Sequence, residues 1–234
     1  MDTILAAFGQ AGGLILSADP ALVQVTLLSL QVTLTAVAIA ALIGMPLGAW
    51  LAVSRFRFRR SVIGVLNGLM GLPPVVVGLV LYLLLSRMGP LGGLGLLFSP
   101  TAMIIAQVII ITPIIASLAH QALRELWAEY RDLLLSLRAT RAQQIGTLIV
   151  DGRRALLTAG LTGFGRAIGE VGAIIIVGGN IEGVTRVLTT AITLETARGD
   201  FALALALGIV LLALAIGVNL ALHAVARTER ESRW

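Results

Sequence analysis

Long apolar stretches alternate with short polar ones along most of this chain, which is the pattern of a protein that crosses a bilayer repeatedly. Crossing the hydrocarbon core as a helix takes about 20 apolar residues. Five stretches reach that length: 26–53, 62–86, 101–119, 156–179 and 201–226. Because an unpaired backbone group in lipid costs several kcal/mol, each of them must be helical. The pattern therefore predicts an all-α integral membrane protein with five spanning helices.

The apolar stretch at residues 3–17 is too short to count as a sixth span by the same measure. No basic residue precedes it, which argues against a signal peptide, because signal peptides begin with a positively charged region. We predict a short helix that lies in the outer interface, with a sixth span as the alternative. The chain then divides into an N-terminal segment (1–20), a membrane domain (21–226) and a tail (227–234).

The polar stretch at residues 120–155 separates two spans and holds six arginines. Its apolar residues recur at the spacing of one helix face. They are Leu126, Tyr130, Leu133, Leu134 and Leu137. Thr140 and Gln143 form a capping-box pair that predicts a second short helix, and Asp151-Gly152 predicts a turn back into the membrane. Two short helices exposed between spans need a surface to pack against, and we expect that surface to belong to another protein.

Composition and charge restrict the function further. Charged residues make up 12% of the chain, against roughly a quarter in soluble domains, and every basic residue is an arginine. Thirteen arginines lie in the 54–61 loop, the 120–155 loop and the tail, whereas three lie in the alternate loops. By the positive-inside rule this asymmetry predicts an outside N-terminus and a cytoplasmic C-terminus. Since the arginines flank spans, the charge indicates a membrane surface and not nucleic acid.

Several kinds of chemistry are excluded by residue counts. Without lysine the chain cannot form a standard P-loop, which holds phosphates with Gly-Lys-Ser/Thr. Its two histidines, His120 and His223, are far apart in sequence and are interpreted as interfacial residues near helix ends. It has no cysteine for a disulfide or a thiolate site. The chain alone is therefore predicted to be neither an enzyme nor the holder of a metal or cofactor.

Two charged residues lie inside the fourth apolar stretch, where charges are costly and usually face a bundle interior or an aqueous path. Arg166 and Glu170 are spaced one helical turn apart, so a continuous helix would carry both on one face. One hypothesis is a neutralising ion pair that determines helix packing. The other is that Arg166 lends positive potential to a pathway for anions, with Glu170 beside it.

The second apolar stretch contains Gly71-Leu72-Pro73-Pro74, and prolines remove backbone hydrogen bonds. The helix must therefore kink or break there. Broken helices at membrane depth are found where they line a cavity or are buried in protein. Pro73 and Pro74 are accordingly candidates for a pathway lining, with a simple packing kink as the alternative.

The external loop at residues 180–200 also has helical order. Apolar residues recur there at helical spacing: Val184, Val187, Leu188, Ala191 and Ile192. Gly199 occupies the position of a C-terminal cap. We predict an amphipathic helix resting at the outer mouth. The alternatives are a docking surface or a gate, with Thr189 and Thr190 as the polar residues of that gate.

These features together resemble the permease subunits of type I ABC importers. The cytoplasmic loop of such permeases carries the signature Glu-Ala-Ala, three residues, glycine, nine residues, then Ile-x-Leu-Pro. Asp132-Leu133-Leu134 would stand at the Glu-Ala-Ala positions here, and Arg138 at the glycine. Leu148 would stand for the isoleucine and Val150-Asp151 for Leu-Pro. The spacing matches the signature, while most residue identities differ.

Four longer blocks are similar to the tungstate-transport permeases, which are relatives of the molybdate and sulfate permeases. They read SLQVTLTAVAIAALIGMPLGAWLA, GLPPVVVGLVLYLLLSRMGPLG, GRAIGEVGAIIIVGGNI and TRVLTTAITLETARGDFALALALGIVL. The similarity covers residues 22–226, nearly the whole chain, and the last two blocks are the most specific.

The resemblance implies the type I ABC importer permease fold in a bacterial inner membrane. It implies a homodimer with an ATPase subunit under each half, and a periplasmic or lipoprotein binding protein that delivers the tungstate oxyanion. The residues that couple to the ATPase would be Asp132, Leu133, Leu134, Leu137, Arg138, Ala139, Thr140, Leu148, Val150 and Asp151. Selectivity would belong to the binding protein, because the chain offers no obvious cluster of hydrogen-bond donors at membrane depth.

Three other functions stay open on sequence grounds. The same machine could carry molybdate, sulfate or another small solute. An ion-coupled secondary transporter or channel is a different class, although such proteins commonly carry several intramembrane acids and internal repeats. The third is a non-transporting membrane assembly factor, for which the 120–155 loop would be a general docking site.

Overall fold

The computed structural model describes residues 2–17 and 20–231, and every regular element in that part of the chain is helical. Its elements are α1 (Asp2–Ser17), α2 (Pro20–Val53), α3 (Arg59–Leu69), α4 (Pro74–Leu85), a 3-10 turn (Gly92–Leu94), α5 (Pro100–Ser136), α6 (Arg141–Asp151), α7 (Arg153–Ile168), α8 (Gly172–Gly178), α9 (Leu188–Arg198) and α10 (Phe201–Glu231). The all-α prediction is confirmed for these residues. The side chain of His223 and the end of the predicted tail, 232–234, lie outside the described part.

Three helices are long and apolar enough to cross a bilayer singly: α2, α5 and the part of α10 up to Leu220. Two further pairs, α3 with α4 and α7 with α8, qualify only if each bent pair is one span, and the chain turns by 96° and 60° at their breaks. The described residues therefore contain three to five spans, and the five predicted stretches correspond to them in order. The N-terminal helix α1 has 16 residues, fewer than a span needs.

The break in the second predicted span occurs at the consecutive prolines, as expected. The helix α3 ends at Leu69, and α4 begins at Pro74, where the missing N–H of a first helical residue costs nothing. Pro74 also disfavours helical geometry at Pro73 before it. By contrast, the single prolines Pro46 and Pro113 lie inside α2 and α5 without ending them.

The fourth predicted span is also broken, in contrast to the continuous helix that its apolar length predicts. The helix α7 ends at Ile168 and α8 begins at Gly172, so the prediction that one continuous helix carries Arg166 and Glu170 on one face is wrong. Glu170 lies in the break, where its carboxylate accepts a hydrogen bond from Ala173 N–H at 3.3 Å. That bond satisfies a donor in the first turn of α8, which would otherwise lack a partner.

The polar loop is built from the end of one long helix and one short helix. The helix α5 runs without interruption for 37 residues, so the third predicted span and the first predicted loop helix are one element. The prediction of a separate helix is wrong because no glycine or proline lies between residues 119 and 136 to end α5. The second loop helix, α6, is separate as predicted, and Gly152 divides it from α7.

The outer helix is shorter than the apolar spacing predicted. It begins at Leu188 instead of near Val184, because residues 181–187 form a turn. The N–H groups of residues 184–186 all donate to Ile181 O, and Thr185 Oγ1 donates to Gly178 O at 2.6 Å. The predicted cap at Gly199 is confirmed, since its φ of +80° is the left-handed conformation of a helix-ending glycine.

The chain forms two compact units, each with its own packing. Unit I comprises Met1–Thr35, Pro74–Gln107 and Ala167–Trp234. In this unit α1 packs along α10, and α4 packs on α8. Gly78 permits the second contact, because a Cβ there would lie 2.9 Å from Ala173 Cα. An apolar cluster in the same unit consists of Leu22, Leu188, Ala191 and Leu207.

Unit II comprises Ala36–Pro73 and Val108–Arg166. Two glycines of α2 meet α5 closely in it, since a Cβ at Gly44 or Gly48 would come within 3.1 Å or 2.7 Å of the α5 backbone. One core cluster of this unit consists of Ala49, Ala52, Val53, Ala119, Leu123, Leu148 and Leu156. Buried side chains of that core hold α6 and the start of α7 against α2 and α5.

Candidate functional site

Seven of the ten predicted coupling residues lie at a tight corner between α5 and α6, within unit II, and the other three lie in the last turn of α6. Two backbone hydrogen bonds close the end of α5: Ala139 N–H donates to Leu134 O, and Arg138 N–H donates to Leu135 O, both at 3.0 Å. This is the Schellman arrangement, which satisfies carbonyl groups that a helix end would leave open. We call residues 132–140 the coupling corner.

Arg138 has the backbone conformation that the glycine of the permease signature would supply. Its φ is +52°, in the left-handed region that residues with a Cβ rarely adopt. Arg138 therefore adopts a conformation that glycine would adopt without a steric cost. The departure at this position changes the side chain at the corner and leaves the turn intact.

We expect Arg138→Gly to stabilise the protein, because glycine adopts the left-handed conformation without a Cβ clash, a difference of about 1 kcal/mol. Thermal unfolding of the purified protein in detergent should show a higher midpoint. Ala139→Gly is the control, since Ala139 has no positive φ and glycine there should lower the midpoint. A lower midpoint for Arg138→Gly as well would contradict this account of the corner.

The start of α6 holds the corner from its other side. The predicted capping box is confirmed: Gln143 N–H donates to Thr140 Oγ1, and Thr140 N–H donates to Gln143 Oε1 at 2.8 Å. The buried amide of Gln144 donates to Ala139 O at 2.8 Å. Because local hydrogen bonds satisfy backbone groups at the end of α5 and at the start of α6, we expect the corner to be rigid.

The coupling residues divide into an exposed group and a buried group. Leu133 and Leu137 are 59% and 68% exposed, and Val150 is 58% exposed. The polar members are exposed as well: Asp132, Arg138, Thr140 and Asp151. Leu134 and Leu148 are buried instead, so they can act only by holding the corner in shape. Leu133 and Leu137 are large apolar side chains exposed at the corner itself, which is typical of a surface that another protein covers.

Three of the predicted pathway residues meet in unit I. Glu170, Thr189 and Thr190 are all buried, and Thr189 Oγ1 donates to Glu170 O at 3.0 Å. Thr190 Oγ1 accepts from Val187 N–H at 3.0 Å and so caps the start of α9. Both hydroxyls are therefore engaged within the chain in this conformation.

The first turn of α4 lies beside the break between α7 and α8. A Cβ at Gly172 would come 2.9 Å from Val75 Cγ2 and 3.6 Å from Glu170 Oε1. Pro74 begins that turn of α4, so this candidate proline and Glu170 belong to one local cluster of unit I. The remaining two candidates belong to unit II, where Pro73 is exposed and Arg166 is half-buried.

One buried polar contact of unit II was missed on sequence grounds. The Arg59 guanidinium donates to Leu51 O at 2.9 Å and approaches His120 Nε2 at 3.3 Å. Because a guanidinium can only donate, His120 Nε2 accepts and the imidazole is neutral. The predicted helix end near His120 is wrong, since His120 lies inside α5, and its side chain is only 3% exposed. No sequence pattern joins two residues that are 61 positions apart.

Residues 44–231 match the model of a protein family described as binding-protein-dependent transport system inner membrane component. The tungstate uptake system permease protein TupB of Peptoclostridium acidaminophilum is 41% identical over 225 residues, which are 96% of this chain and 99% of that protein. TupB of Campylobacter jejuni subsp. jejuni is 36% identical over 228 residues, 97% of this chain and 95% of that protein. The molybdenum transport system permease protein ModB of Azotobacter vinelandii is 29% identical over 158 residues, 64% of this chain and 70% of that protein.

Proposed function

This chain belongs to the family of binding-protein-dependent transport system inner membrane components, and from that premise we propose that it is the permease subunit of an ATP-driven tungstate importer. The observation that supports tungstate as the substrate is the 41% identity to a tungstate permease over nearly the full length of both chains. The molybdenum permease is less similar and matches a shorter part. A permease of this family is not itself a catalytic enzyme. Because the chain contains no lysine for a standard P-loop, ATP hydrolysis would belong to a partner subunit.

Two copies of the permease would enclose the pathway, each seated on one ATPase subunit. The three to five spans of a single chain make a poor wall around an aqueous path, whereas a two-fold pair uses one surface twice. A solute-binding protein would deliver the oxyanion from outside, in agreement with the family's description. The arginine-rich loops would face the cytoplasm, which leaves the N-terminus outside.

The coupling corner would be the place where the ATPase acts on the spans. The helix α5 continues to Ser136 without a break, so a force applied at the corner acts directly on a spanning helix. Buried Leu148 joins α6 to the same core, so α6 moves with it. Closure of the two ATPases would then displace these helices as rigid bodies and open the pathway to the outside.

The binding protein would determine which oxyanion is carried. Selecting a tetrahedral oxyanion takes a cage of free hydrogen-bond donors, whereas the hydroxyls of Thr189 and Thr190 are engaged within the chain. Exchanging the binding protein for that of a molybdate importer should therefore change the substrate preference of the reconstituted complex. A preference that stays the same after the exchange would place selectivity in the permease.

Arg166 would lend positive potential to the oxyanion pathway. A charge in a spanning segment is costly unless it serves a water-filled path or a buried partner. Arg166→Gln should leave the complex assembled and reduce tungstate uptake into proteoliposomes about tenfold. That factor corresponds to a loss of about 1.4 kcal/mol of interaction free energy. Arg166→Lys keeps the charge and should retain most of the uptake. Normal assembly with normal uptake in the glutamine variant would leave Arg166 only a role in helix packing.

Reconstitution of the permease with its ATPase and its binding protein tests the proposed function. Tungstate should stimulate ATP hydrolysis and accumulate in the vesicles at lower concentrations than molybdate, and sulfate should be the weakest substrate. Stimulation by molybdate or sulfate alone would assign the same machine another cargo. Accumulation without any ATPase would indicate an ion-coupled transporter or channel, and failure of any ATPase to co-purify would indicate an assembly factor.

A further inference from the structure

Unit II contains a groove whose charged lining is almost entirely basic. It lies between the end of α2, the loop before α3 and the part of α5 beyond its predicted span, and its volume is about 340 Å³. Its polar and aromatic lining includes Arg55, Arg59, Arg124, Arg131, Trp127 and Asp132. A smaller cavity of about 220 Å³ shares Arg55, Trp127 and Arg131 with it. We call the larger cavity the arginine groove.

Most of the charge in the arginine groove has no counterpart among the residues that the structure describes. The side chains of Arg55, Arg124 and Arg131 form no ion pair or hydrogen bond with any described residue. Arg59 is held by Leu51 O and His120, neither of which carries a negative charge. The single carboxylate of the lining, Asp132, cannot neutralise four guanidinium groups. Like charges that converge on one cavity repel each other, so the groove is electrostatically suited to an anion.

The arginine groove begins where the hydrocarbon core ends. The apolar run of α2 stops at Val53, and the third predicted span stops at residue 119. At 1.5 Å per residue, Arg124 lies roughly 7 Å beyond the end of that span along α5. The headgroup layer is about 5–7 Å thick on each side of a bilayer. Arg55 lies two residues after Val53, in the loop that follows the end of α2.

Aromatic side chains lie near the end of α2 in unit II. Trp50 stacks on Phe56 with ring centroids 5.3 Å apart, and Phe58 is 66% exposed. Trp127 lines the arginine groove itself. Tryptophan and other aromatic rings concentrate at the interface between hydrocarbon and water. The end of the groove that is nearest the hydrocarbon core therefore lies beside lipid headgroups.

We propose that the arginine groove binds the phosphate group of an anionic phospholipid. Guanidinium groups present forked donors that match phosphate oxygens, and basic pockets beside spanning helices are suited to acidic headgroups. A free phosphate ion and a carboxylate-bearing segment of the ATPase would use the same charges. The position of the groove near the headgroups and its neighbouring aromatic rings favour the lipid, because these features would not strengthen binding of a phosphate ion or of an ATPase segment. The proposal does not depend on which oxyanion the importer carries.

Native mass spectrometry tests the proposal, with the purified full-length permease in micelles that contain both phosphatidylglycerol and phosphatidylcholine. The wild type should retain phosphatidylglycerol preferentially. Arg55→Gln combined with Arg124→Gln should weaken this retention about 30-fold, since each arginine contributes about a factor of five. Arg59 is left in place because it holds Leu51 O and His120.

The matched control combines Arg57→Gln with Arg60→Gln. These arginines are exposed in the same region of sequence and do not line the groove, so the control loses the same charge and should retain lipid as the wild type does. The single variant Arg55→Gln changes one exposed loop residue and should lose about fivefold even if the double variant folds poorly.

Three outcomes would overturn the proposal. Equal loss of lipid in the groove variant and in the control would show that lipid retention depends on the general surface charge and not on the groove. Binding of inorganic phosphate with no retained phospholipid would assign the groove to a soluble anion. Undiminished lipid retention by the groove variant, together with loss of the co-purified ATPase, would assign it to the ATPase interface.

Discussion

Replacing Leu137 with aspartate should release the ATPase from the purified complex. Leu137 is 68% exposed at the tip of the coupling corner, so the substitution leaves the core of unit II untouched. At the proposed interface it removes a buried leucine, which contributes about 1.5–3 kcal/mol, and adds a charge without a partner. We expect binding at least about 30-fold weaker, measured as the amount of ATPase that co-purifies with tagged permease.

A variant with the same change and similar exposure serves as the control. Leu94 is 61% exposed and lies in the 3-10 turn between α4 and α5, far in sequence from the coupling corner. Leu94→Asp should co-purify with the ATPase as the wild type does, and both variants should unfold at the wild-type temperature. Wild-type amounts of ATPase bound to Leu137→Asp would remove the coupling corner from the interface.

Replacing Gly48 with valine should prevent unit II from folding. A Cβ at this position would lie 2.7 Å from Ala116 O, from Ala119 Cβ and from His120 N. Two of these atoms belong to the backbone of α5, so neither can move aside without shifting that helix. Overpacking commonly costs about 1–3 kcal/mol and more where the backbone must shift, so we expect a cost at the upper end of that range or above it.

The yield of monodisperse protein after detergent extraction, together with its thermal unfolding midpoint, measures this effect. Gly64→Val is the matched control, because a Cβ at Gly64 meets no atom within 4 Å. Valine also has a higher helix propensity than glycine, so the control should be as stable as the wild type or slightly more stable. Wild-type yield and midpoint for Gly48→Val would show that α2 and α5 are not in such close contact.

Both experiments concern unit II, but one tests a contact with a partner and the other tests the packing of α2 on α5. The change at Leu137 tests a proposed contact with a partner, and the fold survives whichever way that test ends. The change at Gly48 tests the packing on which the shape of the coupling corner depends, because the core beside it includes Leu123 and Leu148. Loss of the ATPase from a stable Leu137→Asp variant would therefore concern function alone.

Local features of the chain were predictable from the sequence, because the groups that produce them are neighbours along it. The apolar stretches predicted the spans, since a bilayer demands that length and a helical backbone. The consecutive prolines predicted the first break. The capping box of Thr140 and Gln143 and the left-handed cap at Gly199 followed from residues within one turn of each helix end.

Two errors of the sequence-based predictions share a physical cause. The break before Gly172 depends on a carboxylate that caps a new helix and on a carbonyl held by Thr189, a residue of another element. The late start of α9 depends on Thr185, which is bonded to Gly178. In each case a contact from outside the segment outweighed the periodicity inside it.

The sequence by itself determined that this protein is a helical membrane protein, where its spans lie and which family of permeases it resembles, because hydrophobic length and local capping act within short segments. Only the tertiary structure decided that Arg138 adopts a glycine-like conformation, that Arg59 reaches His120, and that separate arginines surround one groove. The last two arrangements arise from packing between helices that are distant in sequence, and the free energy of such packing depends on shapes that no single segment encodes.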